Sequence, residues 1–147
     1  MPKTRKWHPW RHLRDTYPHI SVSFVDLRPL GLLGRITHHG IEIDRSSRQR
    51  ERRTTLTHEL CHLERGPVPR HPHFARREER TVESLTARRL IPLDALIDAL
   101  AWCGGRVTDE TADELWVDLD TLRTRIDTLT PRERRYVQSE LDRRLRS

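Results

Sequence analysis

The sequence predicts an α+β fold: a small, mostly antiparallel three-stranded sheet packed on one long helix, followed by a helical C-terminal extension. Three observations lead there. Between residues 20 and 43, short runs alternate apolar with polar residues, the period of strands that bury one face. From Arg48 the period lengthens to that of helices and keeps that length to the C-terminus. The 147 residues suffice for one domain with a core, or a core plus a helical appendage, but not for two large domains.

The elements follow in order. Trp7, Trp10, Leu13 and Tyr17 stand at helical spacing over residues 7 to 18, and Pro18 closes the run. Ile20-Ser21-Val22-Ser23-Phe24-Val25 alternates as a half-buried strand. Arg35-Ile36-Thr37 and Ile41-Glu42-Ile43, separated by His38-His39-Gly40, suggest a hairpin laid against that first strand. Arg48 to Arg65 reads as a helix with Leu56, Leu60 and Leu63 on one face, stopped by Gly66-Pro67. Pro67, Pro69 and Pro72 predict a stiff loop, and Glu78 to Ile91 a second helix with Val82, Leu85 and Leu90 inward. Pro92 opens a third, with Leu93, Leu96, Ile97 and Leu100 in register before Gly104-Gly105. Helices over Thr108 to Trp116 and Asp118 to Leu129 come next. A last one begins at Thr130-Pro131-Arg132-Glu133, a capping box with proline at the first helical position.

Composition narrows the function classes. The apolar stretches Leu27 to Leu33 and Leu90 to Leu100 are broken by charges, prolines and a glycine, so no transmembrane helix is expected. The basic N-terminus is not followed by an apolar run with a small-residue cleavage site, and a cytoplasmic protein is expected. Cys61 and Cys103 lie far apart, one inside the motif helix, and read as free thiols. A net charge of +6 admits nucleic acid or an acidic partner. Nearly all of it is arginine, however, and a GC-rich genome produces the same bias.

Chemistry concentrates at His58-Glu59-Leu60-Cys61-His62. On a helix, residues four apart share a face, so both imidazoles can reach a single Zn2+ ion. Glu59 is rotated by roughly 100° from His58, beside the ion rather than on it. There it can take a proton from an attacking water and pass one to the leaving amine. The alternative is a chance pairing of two histidines and a glutamate on a solvated helix, in a chain with nine histidines. Against chance, the apolar stripe of this helix lies on a different face, and a third ligand is available on the next helix. A third histidine in the His-x-x-Gly-x-x-His continuation is excluded, since Arg65 and Val68 occupy those positions. A layout with a carboxylate from the following helix fits Glu79 as ligand, with Glu83 four residues on holding a histidine in its correct tautomer. Glu78 competes for the ligand role, as do His71 and His73 in the proline-rich loop. A solvated acidic face paired with Arg76, Arg77 and Arg80 would explain these glutamates without a metal.

These residues resemble the ImmA/IrrE family of metallopeptidases, compact glutamate-type zincins of bacteria and their mobile elements. The resemblance begins at Arg52-Arg53-Thr54-Thr55-Leu56-Thr57-His58-Glu59-Leu60-Cys61-His62 and resumes at Glu79-Arg80-Thr81-Val82-Glu83-Ser84-Leu85-Thr86-Ala87-Arg88-Arg89-Leu90-Ile91-Pro92. A weaker similarity runs through Ala112-Asp113-Glu114-Leu115-Trp116-Val117-Asp118 to Ile126. Val82, Leu85 and Thr86 stand where the family usually carries alanine, phenylalanine and alanine, and Cys61 replaces a common glycine. Counting back from Pro92, the resemblance assigns the ligand position to Glu79. It implies a zincin-like core over residues 1–103, a C-terminal helical extension over 104–147, and site-specific cleavage of a helix-turn-helix repressor.

Two further classes compete. A catalytically silent module of the same fold could bind a repressor or DNA, using the C-terminal third as a helix-turn-helix-like element instead of a helical cap. Intact Glu59 discriminates, because a binding module has no use for a base beside the metal. A structural zinc site would close with four protein ligands rich in cysteine, whereas three ligands leave a position open. For an oxyanion-stabilising group, Tyr17, His38, His39 and several arginines are candidates.

Overall fold

The structure is a computed structural model that describes residues 6–146. The fold is α+β, with seven α-helices and one three-stranded sheet among those residues. They form two compact units, one of Trp7–Thr86 and one of Ala87 onward together with Lys6. The boundary expected after Cys103 falls inside the second unit.

In the first unit α1 spans Pro9–Thr16, β1 Val22–Val25, β2 Gly34–Thr37, β3 Gly40–Asp44 and α2 Gln49–Arg65. Helix α3, Pro72–Leu90, crosses from the first unit into the second. The sheet order is β1-β3-β2. The expected hairpin is present, β2 pairing antiparallel with β3 through Ile36 opposite Ile41. Strand β1, however, pairs parallel with β3, Phe24 opposite Ile43, so the sheet is mixed and not mostly antiparallel. The physical reason is two reversals. A 3-10 turn at Arg28–Leu30 sends β2 back against β1, the hairpin turns the chain again, and β3 inserts between them running with β1.

Asp44 at the end of β3 holds the first reversal. Its buried carboxylate accepts hydrogen bonds from the backbone N–H groups of Leu27 at 3.0 Å and Arg28 at 3.1 Å. Donation from the Ser46 hydroxyl, and then from the Leu27 amide, holds its pKa well below the usual carboxylate range.

Ile41 and Ile43 of the central strand pack on Leu56 and Leu60 of α2, with Leu13 of α1 completing this core. Charged tips are left at the rim, where Arg35 donates to Glu42 across β2 and β3 at 2.5 Å. Helix α1 is tied to α2 just before its start and at its middle, since the Trp7 indole N–H donates to Thr57 Oγ1 at 2.8 Å and His12 meets Glu64 at 2.8 Å. Glu51 reaches back to the Arg48 backbone N–H at 3.1 Å and so secures the start of α2. The helix ends at Gly66, whose φ of +93° an L side chain rarely adopts.

Helix α3 starts six residues earlier than the sequence suggested, taking in part of the segment read as a stiff loop. Pro72 occupies the first helical position, where its missing N–H is no loss. The ring of His71 accepts from the His73 backbone N–H at 3.2 Å, as a capping side chain does. Read as a breaker, this proline is in fact a start signal.

The second unit holds α4 (Leu93–Trp102), α5 (Asp109–Glu114), α6 (Leu119–Asp127) and α7 (Pro131–Leu145). Its core includes Leu96, Ile97, Leu100, Val117, Leu122 and Val137. The expected capping box opens α7: Glu133 accepts from the Thr130 N–H at 2.9 Å, and the Thr130 hydroxyl accepts from the Glu133 N–H at 3.1 Å. Glu133 also receives Arg88 at 2.9 Å and 3.2 Å. Arg88 first, with the Thr130 amide, pulls its pKa down to about 2. No helix among the described residues is long and apolar enough to cross a membrane.

Candidate metal centre

The site is built by α2 and α3 of the first unit. Leu56 and Leu60 face the sheet, and the helical period then turns His58 and His62 toward a neighbouring surface of α2. Their rings sit edge to face with centroids 4.8 Å apart. Helix α3 brings Glu79 to both: Oε2 lies 3.4 Å from His58 Nε2, and Oε1 lies 3.0 Å from His62 Nε2. One atom from each of the three residues fits within 4.8 Å of the others, a group that could hold a metal ion.

The distances allow a fit test. Ligand atoms about 2.0 to 2.2 Å from a tetrahedral ion stand roughly 3.3 Å apart along each edge. Glu79 meets the two histidines at 3.4 Å and 3.0 Å through different oxygens, and one atom from each residue lies within 4.8 Å of the others, so an ion would draw the three somewhat closer together. Both Glu79 contacts are also ion-pair distances, so the cluster is closed on itself as it stands. The donor set, two imidazoles and a carboxylate, suits zinc. Burial lowers the pKa of His58, the neighbouring His62 adds to this and Glu79 opposes it, which favours the neutral ring that a metal requires.

Glu59 is buried, and its carboxylate lines the same cleft without joining the His58–His62–Glu79 group. Burial pushes its pKa up to about 7, with His62 opposing and Glu79 reinforcing the shift. The cleft encloses about 790 Å³. Along it run Gly34, Arg35 and Ile36 of β2, an edge strand, while Leu32, Leu63 and Val68 add apolar wall. Gly34 is forced by proximity: a Cβ there would meet Thr55 Cγ2 at 2.4 Å and Glu59 Oε1 at 3.4 Å.

The remaining expected residues lie elsewhere. Glu78 turns away to pair with Arg65, one of its oxygens receiving Nη2 at 3.1 Å. Glu83 is exposed on α3, and the buried Nδ1 of His62 has no hydrogen-bond partner among the described residues, so Glu83 does not orient that ring. His71 and His73 are exposed beside Phe74 at the start of α3. His38 and His39 meet in the hairpin turn with their rings tilted at 43°, and Tyr17 packs against the core; none of the three lines the cleft. Arg35 is the cation that does line it. Sequence reasoning passed over Gly34, although a glycine in a strand signals close approach of another group, and did not single out Arg35 among several candidate arginines.

No protein-family model matches this chain, and no curated protein or solved structure is significantly similar to it.

Proposed function

We propose that the chain is a zinc-dependent peptidase with a zincin-like core, in which His58, His62 and Glu79 hold the ion and Glu59 is the general base. The observation that carries this reading is Glu79 of α3 meeting the Nε2 atoms of both histidines, with buried Glu59 in the same cleft. A zinc ion with three protein ligands and an open position supplies Lewis acidity toward a carbonyl oxygen and lowers the pKa of a coordinated water.

The chain's own groups supply the rest. An extended peptide can add to the free edge of β2 beside Gly34 and Ile36, exchanging backbone hydrogen bonds as a fourth strand would. Apolar side chains of such a peptide find Leu32, Leu63 and Val68. Glu59 takes the proton from the attacking water as its oxygen bonds to the carbonyl carbon, then delivers a proton to the amide nitrogen as the C–N bond breaks. Burial excludes bulk water from that carboxylate.

The resemblance to ImmA/IrrE peptidases makes a cytoplasmic helix-turn-helix repressor the proposed substrate, cut at one site. Charge does not favour the C-terminal third as a DNA-reading extension: residues 87–147 carry eleven arginines against twelve carboxylates. The test is to incubate the purified chain with repressors encoded beside its gene and look for a single defined cut. Glu59→Gln is expected to keep about one zinc per chain while losing at least ~100-fold in cleavage rate. Cleavage by Glu59→Gln at the wild-type rate would remove the assigned base.

A further inference from the structure

Positive charge is unevenly divided along the chain. Residues 1–86 contain seventeen Lys and Arg against ten Asp and Glu, so the whole excess belongs to that stretch. Several of its arginines already have structural work. Arg28 pairs with Asp44, Arg35 with Glu42, Arg45 with Asp26 and Arg65 with Glu78, and Arg52 donates to two backbone carbonyls while lying over Phe24.

Arg76, Arg77 and Arg80 differ. All three are exposed on α3, and their side chains make no ion pair or hydrogen bond among the described residues. At about 100° per residue they fall within one arc of roughly 100°, together with His73. The inward side of α3 carries buried Val82 and Thr86 and half-buried Glu78 and Glu79, opposite that arc. Glu83, the exposed carboxylate of the helix, stands at its margin. Two turns of α3 therefore present three uncommitted guanidinium groups to solvent.

We propose that this face of α3 is a contact surface for the phosphate backbone of duplex DNA. Guanidinium forks match phosphate oxygens in pairs, and arginine keeps its charge at any relevant pH. Arg76 and Arg80 stand one turn apart, about 6 Å along the axis, a spacing at which two side chains reach neighbouring phosphates. The surface is a convex helix, about 10 to 12 Å across with its side chains, which a groove about 12 Å wide accepts. An acidic peptide would be better held by a concavity, and the cleft lies on the Glu79 side of α3. Contacts from these arginines to phosphate oxygens position the duplex and carry no direct sequence information, so a random-sequence duplex is a sufficient probe. It is separate from the metal site and does not rest on the peptidase reading.

The test measures binding of the full chain to a random-sequence duplex longer than two helical turns, by fluorescence anisotropy across a salt series. For three phosphate contacts, log K is expected to fall against log salt with a slope near −3. The triple variant R76Q/R77Q/R80Q is expected to bind at least ~10-fold more weakly at low salt and to lose most of that slope. R76K/R77K/R80K, which keeps the charge, is expected to retain the slope. As a control, R123Q/R132Q/R135Q removes the same charge from exposed positions of the second unit and is expected to leave binding unchanged. Circular dichroism and a cooperative thermal transition establish that each variant is folded. Absence of binding by the wild type, equal losses from the two glutamine triples, or polyglutamate competing as well as DNA at equal charge would each overturn the proposal.

Discussion

Glu79 and Glu78 are neighbours on α3 with opposite assignments, and a pair of substitutions separates them. Glu79 meets both histidines, whereas Glu78 is held by Arg65. Glu79→Ala is expected to weaken zinc retention at least ~10-fold, read by metal analysis after dialysis against a chelator. Glu78→Ala should leave zinc content at the wild-type level; the reverse pattern would exchange their roles. Gly34 makes a second residue-scale prediction. Gly34→Ala forces a methyl group against Thr55 and toward Glu59, which costs about 1–3 kcal/mol by overpacking. Thermal unfolding should report the loss. Of these residues the pair His58 and His62 was legible in the sequence, because a spacing of four settles a helix face without tertiary information. The orientation of His62 was not legible. Glu83 has the right spacing on its own helix, yet it faces solvent while His62 Nδ1 is buried elsewhere.

At the scale of elements, the reversal between β1 and β2 hangs on Asp44, and its pH dependence can be worked out. The folded pKa is depressed below the ordinary value of 3.8, so the carboxylate's stabilisation is complete above that value and is lost as pH falls below it. Asp44→Asn cannot make the same charge-assisted bonds to Leu27, Arg28 and Ser46. It is expected to lower stability at neutral pH and to flatten the acid limb of stability against pH, measured as urea midpoints. Parallel curves for variant and wild type would assign acid sensitivity to other groups. Element existence was legible from period alone: the strands, α2 and the capping box of α7 all stand where alternation and spacing put them. Two features were hidden for physical reasons. The direction of β1 depends on which edge of the hairpin it joins, a long-range choice that leaves no mark on the strand's own residues. Pro72 both ends an extended run and begins a helix, and only the His71 side chain capping the next turn decides between the two.

For the whole molecule, the proposed metal site would couple ion binding to folding. An ion that binds the folded site alone stabilises by RT ln(1 + [L]/Kd), about 2.7 kcal/mol at one hundred times Kd. Chelator should therefore lower the unfolding temperature of the wild type, and zinc should restore it, whereas Glu79→Ala should respond weakly to either. An unfolding temperature indifferent to zinc in the wild type would count against a site at His58, His62 and Glu79. Sequence by itself determined the mixture of helix and strand, the axial pairing of two imidazoles and the placing of Glu59 off their axis, because all of these follow from periods of two and 3.6 within short windows. The choice of Glu79 over Glu78 was already made by spacing and resemblance; only the tertiary structure decided that Arg65 draws Glu78 away, that β1 runs parallel to β3, and that Gly34 packs on Thr55 beside a buried Glu59. Those outcomes depend on how separately formed elements pack against one another, and that packing is set by shape and burial over the whole core.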